Sequence, residues 1–359
     1  MIEQLGAAGV GLGAFGIQWG RRPTVPPPCR LTRRDLRLLA FLHDFGYATT
    51  CILAALFWGR MGTATHERLK LLHDAGMLDK LRPRVGRDDG SHEWIYRLTA
   101  LGWRTILDAG MAADGEDFAP AELTSIAYVE HDVQVAGLVT ALAARAARAA
   151  GREGRLIDAA PFRMLGPRSG AVDPRREARA DDASAASDLG ERLVHPEAST
   201  AGVLKPDATL VGITDGGERT AVMLEYDRTR RASKQLTRLR RYDHFLTAGW
   251  RESRYAALDV EPALLVVCSD ERQLPTFVRA ADHELTAWVG GPQVGRRSGE
   301  HTGREQVGFT TRGRLLAGDS RLLQVPLAPP PIRCGGSTGD PAAVQRETSL
   351  SLDALFVAA

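Results

Sequence analysis

Residues 204–227 read LKPDATLVGITDGGERTAVMLEYD. Apolar and polar residues alternate through 204–213, and an apolar run covers 220–226, so the stretch predicts two β-strands. The Asp-Gly-Gly at 215–217 is typical of a tight turn between paired strands. The sequence therefore predicts a β-hairpin here, and the rest of the fold is built outward from it.

Helices and a further strand are predicted on both sides of this hairpin. A long alanine-rich helix over 125–150 precedes it, and a basic helix over 233–247 follows it. A buried strand over 263–268 and a helix from 271 towards 288 come next. This order predicts an α+β domain over 121–290, with a mixed sheet flanked by helices.

Two stretches of this half lack a hydrophobic period. Residues 167–200 mix Arg, Asp, Ala, Ser and Gly, which predicts a disordered insertion. Beyond residue 290 the chain is rich in Gly, Arg and Pro. We expect 291–359 to be a mostly irregular tail, with candidate short strands over 307–310 and 322–325.

The N-terminal part of the sequence has a different composition and a different order of predicted elements. Residues 1–30 are glycine- and proline-rich and predict a disordered leader. Thr32 and Asp35 then have the spacing of a helix N-cap, and three short helices and two strands are predicted over 31–110. This order predicts a winged helix-turn-helix, a DNA-binding domain, followed by a polar linker to 121.

The third short helix has the residue types that a major-groove helix needs. Polar residues face base edges, cations face phosphates, and an apolar back holds such a helix to its domain. The candidate DNA-binding residues on this helix and on the wing are Thr63, Thr65, His66, Arg68, Lys70, Arg84 and Arg87. The alternatives are that these residues are the solvated faces of a helical domain, or that the winged fold contacts protein.

Three carboxylates are expected at one end of the 204–227 hairpin. Asp207 opens the first strand, and Glu225 and Asp227, two residues apart, close the second on one side of the sheet. Like charges this close raise one another's pKa, and oxygen ligands suit Mg²⁺ or Mn²⁺. We therefore expect Asp207, Glu225 and Asp227 to be metal ligands.

These residues also carry a family resemblance. Pro206-Asp207, the glutamate that ends the next strand and a lysine on the following helix resemble the restriction-endonuclease-like PD-(D/E)xK superfamily. With the winged helix before it, the string Glu225-Tyr226-Asp227-Arg228-Thr229 resembles the replication-relaxation family of actinobacterial mobile elements over roughly residues 31–290. The resemblance implies a restriction-endonuclease-like α/β domain. The catalytic residues that it implies are Asp207, Glu225, Asp227 and Lys234.

One position departs from the superfamily pattern. Asp227 stands where the superfamily has a lysine two residues after the glutamate. Lys234 or Arg238, on the next helix, would then supply the positive charge. Whether the domain cuts DNA stays open, because Asp207 and Asp227 would equally serve to cap turns and pair with arginines in a nuclease-shaped binding module.

The strongest charge feature lies over 228–241, which holds seven cations and no acid. Each phosphate that a cation neutralises adds salt-dependent affinity for DNA. The candidate DNA-binding residues of this segment are Arg231, Arg238 and Arg241. A solvated basic helix face is the alternative.

The composition narrows the class of protein. The 359 residues are 44 % hydrophobic and carry a net charge of +2, so bulk charge alone does not indicate nucleic acid. Four cysteines without metal-ligand or redox spacing indicate reduced thiols and a cytoplasmic protein. No stretch has the length of a membrane span.

Together these patterns predict a DNA-binding protein of a plasmid or integrative element that acts in replication or conjugative transfer. Its nuclease-like domain either nicks DNA or only clamps it. The expected partners are double-stranded DNA and other replication or transfer proteins, with Mg²⁺ or Mn²⁺ as cofactor and no membrane contact. A metal-dependent endonuclease in defence or recombination and a winged-helix transcriptional regulator are the alternatives, and the oligomeric state is left open.

Overall fold

The computed structural model describes residues 17–83, 93–112, 126–160, 162–167, 204–213, 219–228, 261–285, 306–319, 321–324 and 346–351, with separate residues of 238–256. The chain divides into two compact units, Met1–Ala160 and Pro161–Ala359. Helices accompany one antiparallel and one mixed sheet, which confirms the predicted α+β class.

The described part of the first unit consists of helices around a four-stranded sheet. Its elements are β1 (Ile17–Trp19), α1 (Arg33–Phe45), β2 (Tyr47–Thr49), α2 (Thr50–Trp58), α3 (Thr63–Asp74), β3 (Leu78–Pro83), β4 (Ile95–Leu98), α4 (Ala100–Asp108), α5 (Ile126–Ala149) and α6 (Leu156–Ala159). The strand order is β1-β3-β4-β2, and every neighbouring pair is antiparallel.

Side-chain caps explain where the first two helices begin. The Thr32 hydroxyl accepts a hydrogen bond from Asp35 N at 3.3 Å, and the Asp35 carboxylate accepts one from Thr32 N at 2.7 Å. This reciprocal pair confirms the predicted cap of α1. Thr49 caps α2 by a single bond, in which its hydroxyl accepts from Ile52 N. Gly76, with φ +87°, makes the left-handed turn that leads from α3 into β3.

The predicted hairpin of the first unit is present, and two unpredicted strands flank it. β3 pairs with β4 from Leu78 opposite Leu98 to Leu81 opposite Ile95, while the predicted turn at 89–90 lies outside the described residues. β1 pairs with the end of β3, so the prediction of a disordered leader is wrong for Ile17–Trp19. Three-residue strands such as β1 and β2 are fixed by distant pairing partners, which local patterns do not show.

The long alanine-rich helix α5 was predicted correctly, but it belongs to the first unit. We expected the second domain to begin at 121, whereas the division lies after Ala160. α5 packs against β2, α2 and α6, and Val129, Ala136 and Val139 are fully buried. An alanine-rich pattern predicts a helix that packs closely, but it does not show which sheet the helix packs on.

The second unit is built on a seven-stranded sheet. Its described elements are β5 (Phe162–Leu165), β6 (Ala208–Ile213), β7 (Arg219–Asp227), a 3₁₀ turn (Gly249–Glu252), β8 (Ala263–Cys268), α7 (Leu274–Glu284), β9 (Val307–Thr311), α8 (Arg312–Ala317), β10 (Arg321–Gln324) and β11 (Arg346–Ser351). The described residues of 238–246 are helical. The strand order is β11-β10-β9-β8-β7-β6-β5.

This is a mixed sheet, in which the strand pairing changes from antiparallel to parallel and back to antiparallel. β5, β6 and β7 run antiparallel, β7, β8 and β9 run parallel, and β10 returns antiparallel. The 238–246 helical segment packs on the face of the sheet that carries Met223 and Val266, where Leu239, Tyr242 and Phe245 join the core. This packing brings the basic helix over the end of β7.

The candidate strands over 307–310 and 322–325 of the predicted tail are present as β9 and β10, and α8 and β11 are further regular elements that were not predicted. All five residues of β9 are buried, and β9 pairs in parallel with β8 inside the sheet. The predicted disordered insertion lies, from residue 168 on, outside the described residues. No helix in the described part of the chain is both long and apolar enough to cross a membrane.

Candidate functional site

Two of the predicted acids, Asp207 and Glu225, lie side by side at the end of the β6–β7 pair. The register of Ala208 opposite Leu224 puts Asp207, the residue before β6, opposite Glu225. Asp207 N donates to Leu224 O at 3.0 Å, and Asp207 Oδ2 accepts from Tyr226 N at 2.8 Å. The Asp207 side chain therefore continues the hydrogen-bond ladder, and both acids are buried.

Arg238 reaches both acids from the helical segment above the sheet. Its Nη1 lies 2.6 Å from Glu225 Oε2, and its Nη2 lies 3.9 Å from Asp207 Oδ1. Tyr242, one helical turn further on, donates its hydroxyl to Glu225 Oε1. The 2.6 Å contact is an ion pair without hydrogen-bond geometry, since Glu225 Oε2 accepts no hydrogen bond from the described residues. We call these four residues the acid–arginine cluster.

The surroundings of Glu225 raise its pKa. Burial raises the pKa of Glu225 well above its ordinary value of 4.5, and the neighbouring Asp207 charge raises it further. The Arg238 charge and the Tyr242 hydroxyl oppose this shift without cancelling it. The pKa of Tyr242 is also raised, by burial first and then by Glu225. Sequence reasoning missed Tyr242, although its spacing of four from Arg238 puts both on one helix face.

Asp227 lies at the same end of β7 but is not part of this cluster. Its register position is opposite Cys268 on β8, and burial followed by the Asp227 charge raises the pKa of that thiol to about 12. Among the charges that act on Arg238, Asp227 contributes least. Convergence of Asp227 with Asp207 and Glu225 on one metal ion stays a prediction.

The described residues do not fit the divalent metal that the resemblance implies. Within the described part of the chain, no group of three or more His, Cys, Asp or Glu side chains is arranged to hold a metal ion. All four oxygens of Asp207 and Glu225 already face Tyr226 N, Tyr242 or Arg238. Mg²⁺ or Mn²⁺ therefore stays a prediction, and no chemical step is built on it.

In the first unit, α3 presents a polar edge and buries its back. Leu69 is fully buried, whereas Thr63 and His66 are exposed. Thr65 is also buried, and its hydroxyl points to the Arg60 carbonyl. Of the three uncharged residues that we predicted to face bases, the structure exposes two, and Thr65 packs inward.

The two α3 cations that we predicted to contact DNA have different surroundings. Arg68 binds Asp35 through Nε at 2.9 Å and Nη2 at 2.5 Å, and its Nη2 also donates to Arg30 O at 2.8 Å. These bonds join α3 to α1 through Arg68, and a phosphate contact by Arg68 stays a prediction. Lys70 is 69 % exposed and pairs only along its own helix, with Asp74.

The hairpin carries an aromatic residue between two cations. Trp94 has Lys80 Nζ at 4.9 Å and Arg82 Cζ at 4.6 Å from its ring centroid. Arg82 also donates from Nε to Gln18 on β1 at 2.8 Å. Residues 80 and 82 alternate on one face of β3, and that spacing is the sequence signal for this cation–aromatic group.

The remaining predicted site residues divide into described and undescribed positions. Arg241 is exposed on the 238–246 helical segment. The others lie outside the described residues: Arg84, Arg87, Arg231 and Lys234.

Comparison with known families agrees with the resemblance noted in the sequence. The sequence model of the replication-relaxation family matches residues 39–260, more than half of the chain. The chain belongs to the replication-relaxation family. Family membership suggests involvement in the replication or transfer of a plasmid or related element. No curated protein and no solved structure shows significant similarity to the chain.

The replication-relaxation match covers parts of both units. It includes α3, the β3–β4 hairpin and every residue of the acid–arginine cluster, and it ends before β8. Thr32 and Asp35, which cap α1, precede it. The two regions with candidate binding residues therefore lie inside the part of the chain that defines the family.

Proposed function

We propose that this replication-relaxation protein binds double-stranded DNA through a winged helix-turn-helix in its first unit, and that it acts in the replication or conjugative transfer of a plasmid or integrative element. In this proposal α3 enters the major groove and the β3–β4 hairpin is the wing. The second unit is a nuclease-like domain that holds DNA without cutting it.

The exposed edge of α3 carries the proposal. Its back is anchored by Leu69 and by the Arg68–Asp35 pair, so the helix is fixed to the unit before any ligand arrives. The opposite edge leaves Thr63, His66 and Lys70 in solvent. A helix that is already fixed to its unit and carries Lys70 on a polar edge matches the requirements of groove binding, because little conformational entropy is lost when the duplex binds.

The β3–β4 hairpin also supports the proposal of DNA binding by the first unit. Lys80 and Arg82, both on β3, flank Trp94, the residue before β4. Cations held by an aromatic ring keep their charge available for phosphates. A contact at the wing would fix the register of α3 on the duplex.

We propose that the second unit clamps DNA without cutting it, because the Asp207 and Glu225 carboxylates are already bound by other residues of the protein. Arg238 and Tyr242 hold Glu225, and Glu225 is almost fully buried. A buried acid with a raised pKa is poorly suited to bind a metal or activate water at the surface. The exposed Arg241 on the same helical segment is available for a phosphate.

Fluorescence anisotropy with a labelled duplex from the element's own origin region tests this proposal. Lys70→Ala should weaken binding and lower the slope of log K against log salt by about 0.9, the loss of one phosphate contact. His66→Ala should weaken binding with little change in slope. Arg104→Ala, an exposed arginine on α4, is the matched control and should leave the isotherm unchanged.

Two results would contradict the proposal. The first is a wild-type protein that shows no salt-dependent duplex binding. The second is a loss of affinity in Arg104→Ala as large as the loss in Lys70→Ala, because binding would then follow overall charge and not the α3 edge.

A further inference from the structure

We infer that Arg238 takes the place of a divalent metal between the carboxylates of Asp207 and Glu225, so that the acid–arginine cluster is complete without a metal ion. The inference concerns only the second unit and does not depend on DNA binding by the first.

The first step is the charge of the two acids. The β6–β7 register holds Asp207 and Glu225 opposite each other, and burial keeps water away from both. Two buried carboxylates at this spacing repel each other and need either a proton or a cation between them. In a metal-dependent site a divalent cation fills this role, bound by several oxygens at roughly 2.1 Å.

The second step is the shape of the guanidinium. Its two Nη atoms reach different acids, Nη1 to Glu225 Oε2 at 2.6 Å and Nη2 to Asp207 Oδ1 at 3.9 Å. The planar fork of arginine is suited to bridging two carboxylate groups in this way. The oxygens that a metal would need to share are the two that face Arg238.

The third step is the anchoring of Arg238. The adjacent Leu239 and the nearby Tyr242 and Phe245 are buried in the core, so the helical segment that carries Arg238 is fixed above the sheet. The Tyr242 hydroxyl and Tyr226 N hold the other two carboxylate oxygens. The cation therefore comes from a fixed backbone position, and a metal would have to displace it.

Mn²⁺ binding to the full chain tests this inference. Binding is measured by the loss of the electron paramagnetic resonance signal of free Mn²⁺, and also by thermal unfolding with and without metal. The wild type should take up no Mn²⁺ at a saturable site. Arg238→Ala frees both carboxylates and should bind about one Mn²⁺ per chain. Its melting temperature should then rise by roughly 3–6 °C at a metal concentration about ten times the Kd.

Arg238→Gln is the second variant, since it removes the charge while keeping a polar side chain of useful length if the alanine variant fails to fold. Arg279→Ala, an exposed arginine on α7, is the matched control and should behave as the wild type. Saturable Mn²⁺ binding by the wild type that is lost in Glu225→Gln would overturn the inference. A folded Arg238→Gln protein that takes up no Mn²⁺ would also overturn it.

Discussion

Each unit of the protein pairs a buried carboxylate with an arginine, Asp35 with Arg68 in the first and Glu225 with Arg238 in the second, yet the pKa values of the two acids move in opposite directions. Burial alone would raise the pKa of Asp35, but hydrogen bonds from Arg68 and Thr32 outweigh it and lower the pKa below 3.8. Burial raises the pKa of Glu225, and its surroundings do not reverse the shift.

The difference lies in the donors around each acid. The Asp35 carboxylate accepts bonds from the backbone and hydroxyl of Thr32 and from two nitrogens of Arg68. Glu225 accepts one hydroxyl bond, from Tyr242, and faces a second acid, Asp207. An arginine alone therefore does not decide the charge state of a buried acid. The charge state depends on how many hydrogen-bond donors and how many other acids surround the carboxylate.

Replacing each arginine in turn gives the largest effect that the comparison predicts. Arg68→Ala leaves the fully buried Asp35 without its charge partner, and we expect a loss of about 3 kcal/mol in the free energy of unfolding. Arg238→Ala should lose less, about 1–2 kcal/mol, because Glu225 takes up a proton instead of staying charged. Chemical denaturation followed by circular dichroism measures both values.

Lys70→Ala is the control for these two variants, since its exposed pair with Asp74 should contribute less than about 1 kcal/mol. Equal losses in Arg68→Ala and Lys70→Ala would mean that the Asp35 pair does not hold α3 to α1. A larger loss in Arg238→Ala than in Arg68→Ala would reverse the comparison.

The pH dependence of stability should have opposite signs in the two units. A lowered folded pKa gives Asp35 a stabilising effect that is present above pH 3.8 and is lost as the pH falls through the folded value. A raised folded pKa gives Glu225 a stabilising effect that is fully present below pH 4.5 and is lost as the pH rises through the folded value.

Asp35→Asn and Glu225→Gln separate these two effects in unfolding measurements over a pH series. Relative to the wild type, Glu225→Gln should gain stability as the pH rises, because glutamine resembles the protonated acid. Asp35→Asn should lose stability relative to the wild type as the pH rises from the acid range. Two slopes of the same sign would show that the donors around each acid do not set its charge.

Local patterns in the sequence predicted the elements that local interactions determine. The Thr32–Asp35 cap lies within four residues, and the apolar run of β7 follows from burial of both faces of that strand. The same reasoning placed Asp207 and Glu225 together, because adjacent ends of a hairpin must meet. The α+β class followed from the order of these elements.

Features that depend on distant contacts were not predictable from these patterns. The pairing of Arg68 with Asp35, 33 residues away in the chain, was not predicted. β11 was not predicted, and it gains its hydrogen bonds from β10. In each case the tertiary neighbour, and not the local sequence, decides the role of the residue.

We propose that the first unit binds DNA and that the second unit does not cut it. The full chain is incubated with supercoiled plasmid that carries the element's origin region, in Mg²⁺, in Mn²⁺ and in a chelator. Gel electrophoresis before protein removal then measures DNA binding, and electrophoresis after protein removal measures cutting. We predict salt-sensitive retardation under all three conditions, with the plasmid still supercoiled once the protein is removed. Nicked or linear plasmid that requires metal and disappears with Glu225→Ala, while retardation persists, would contradict the account.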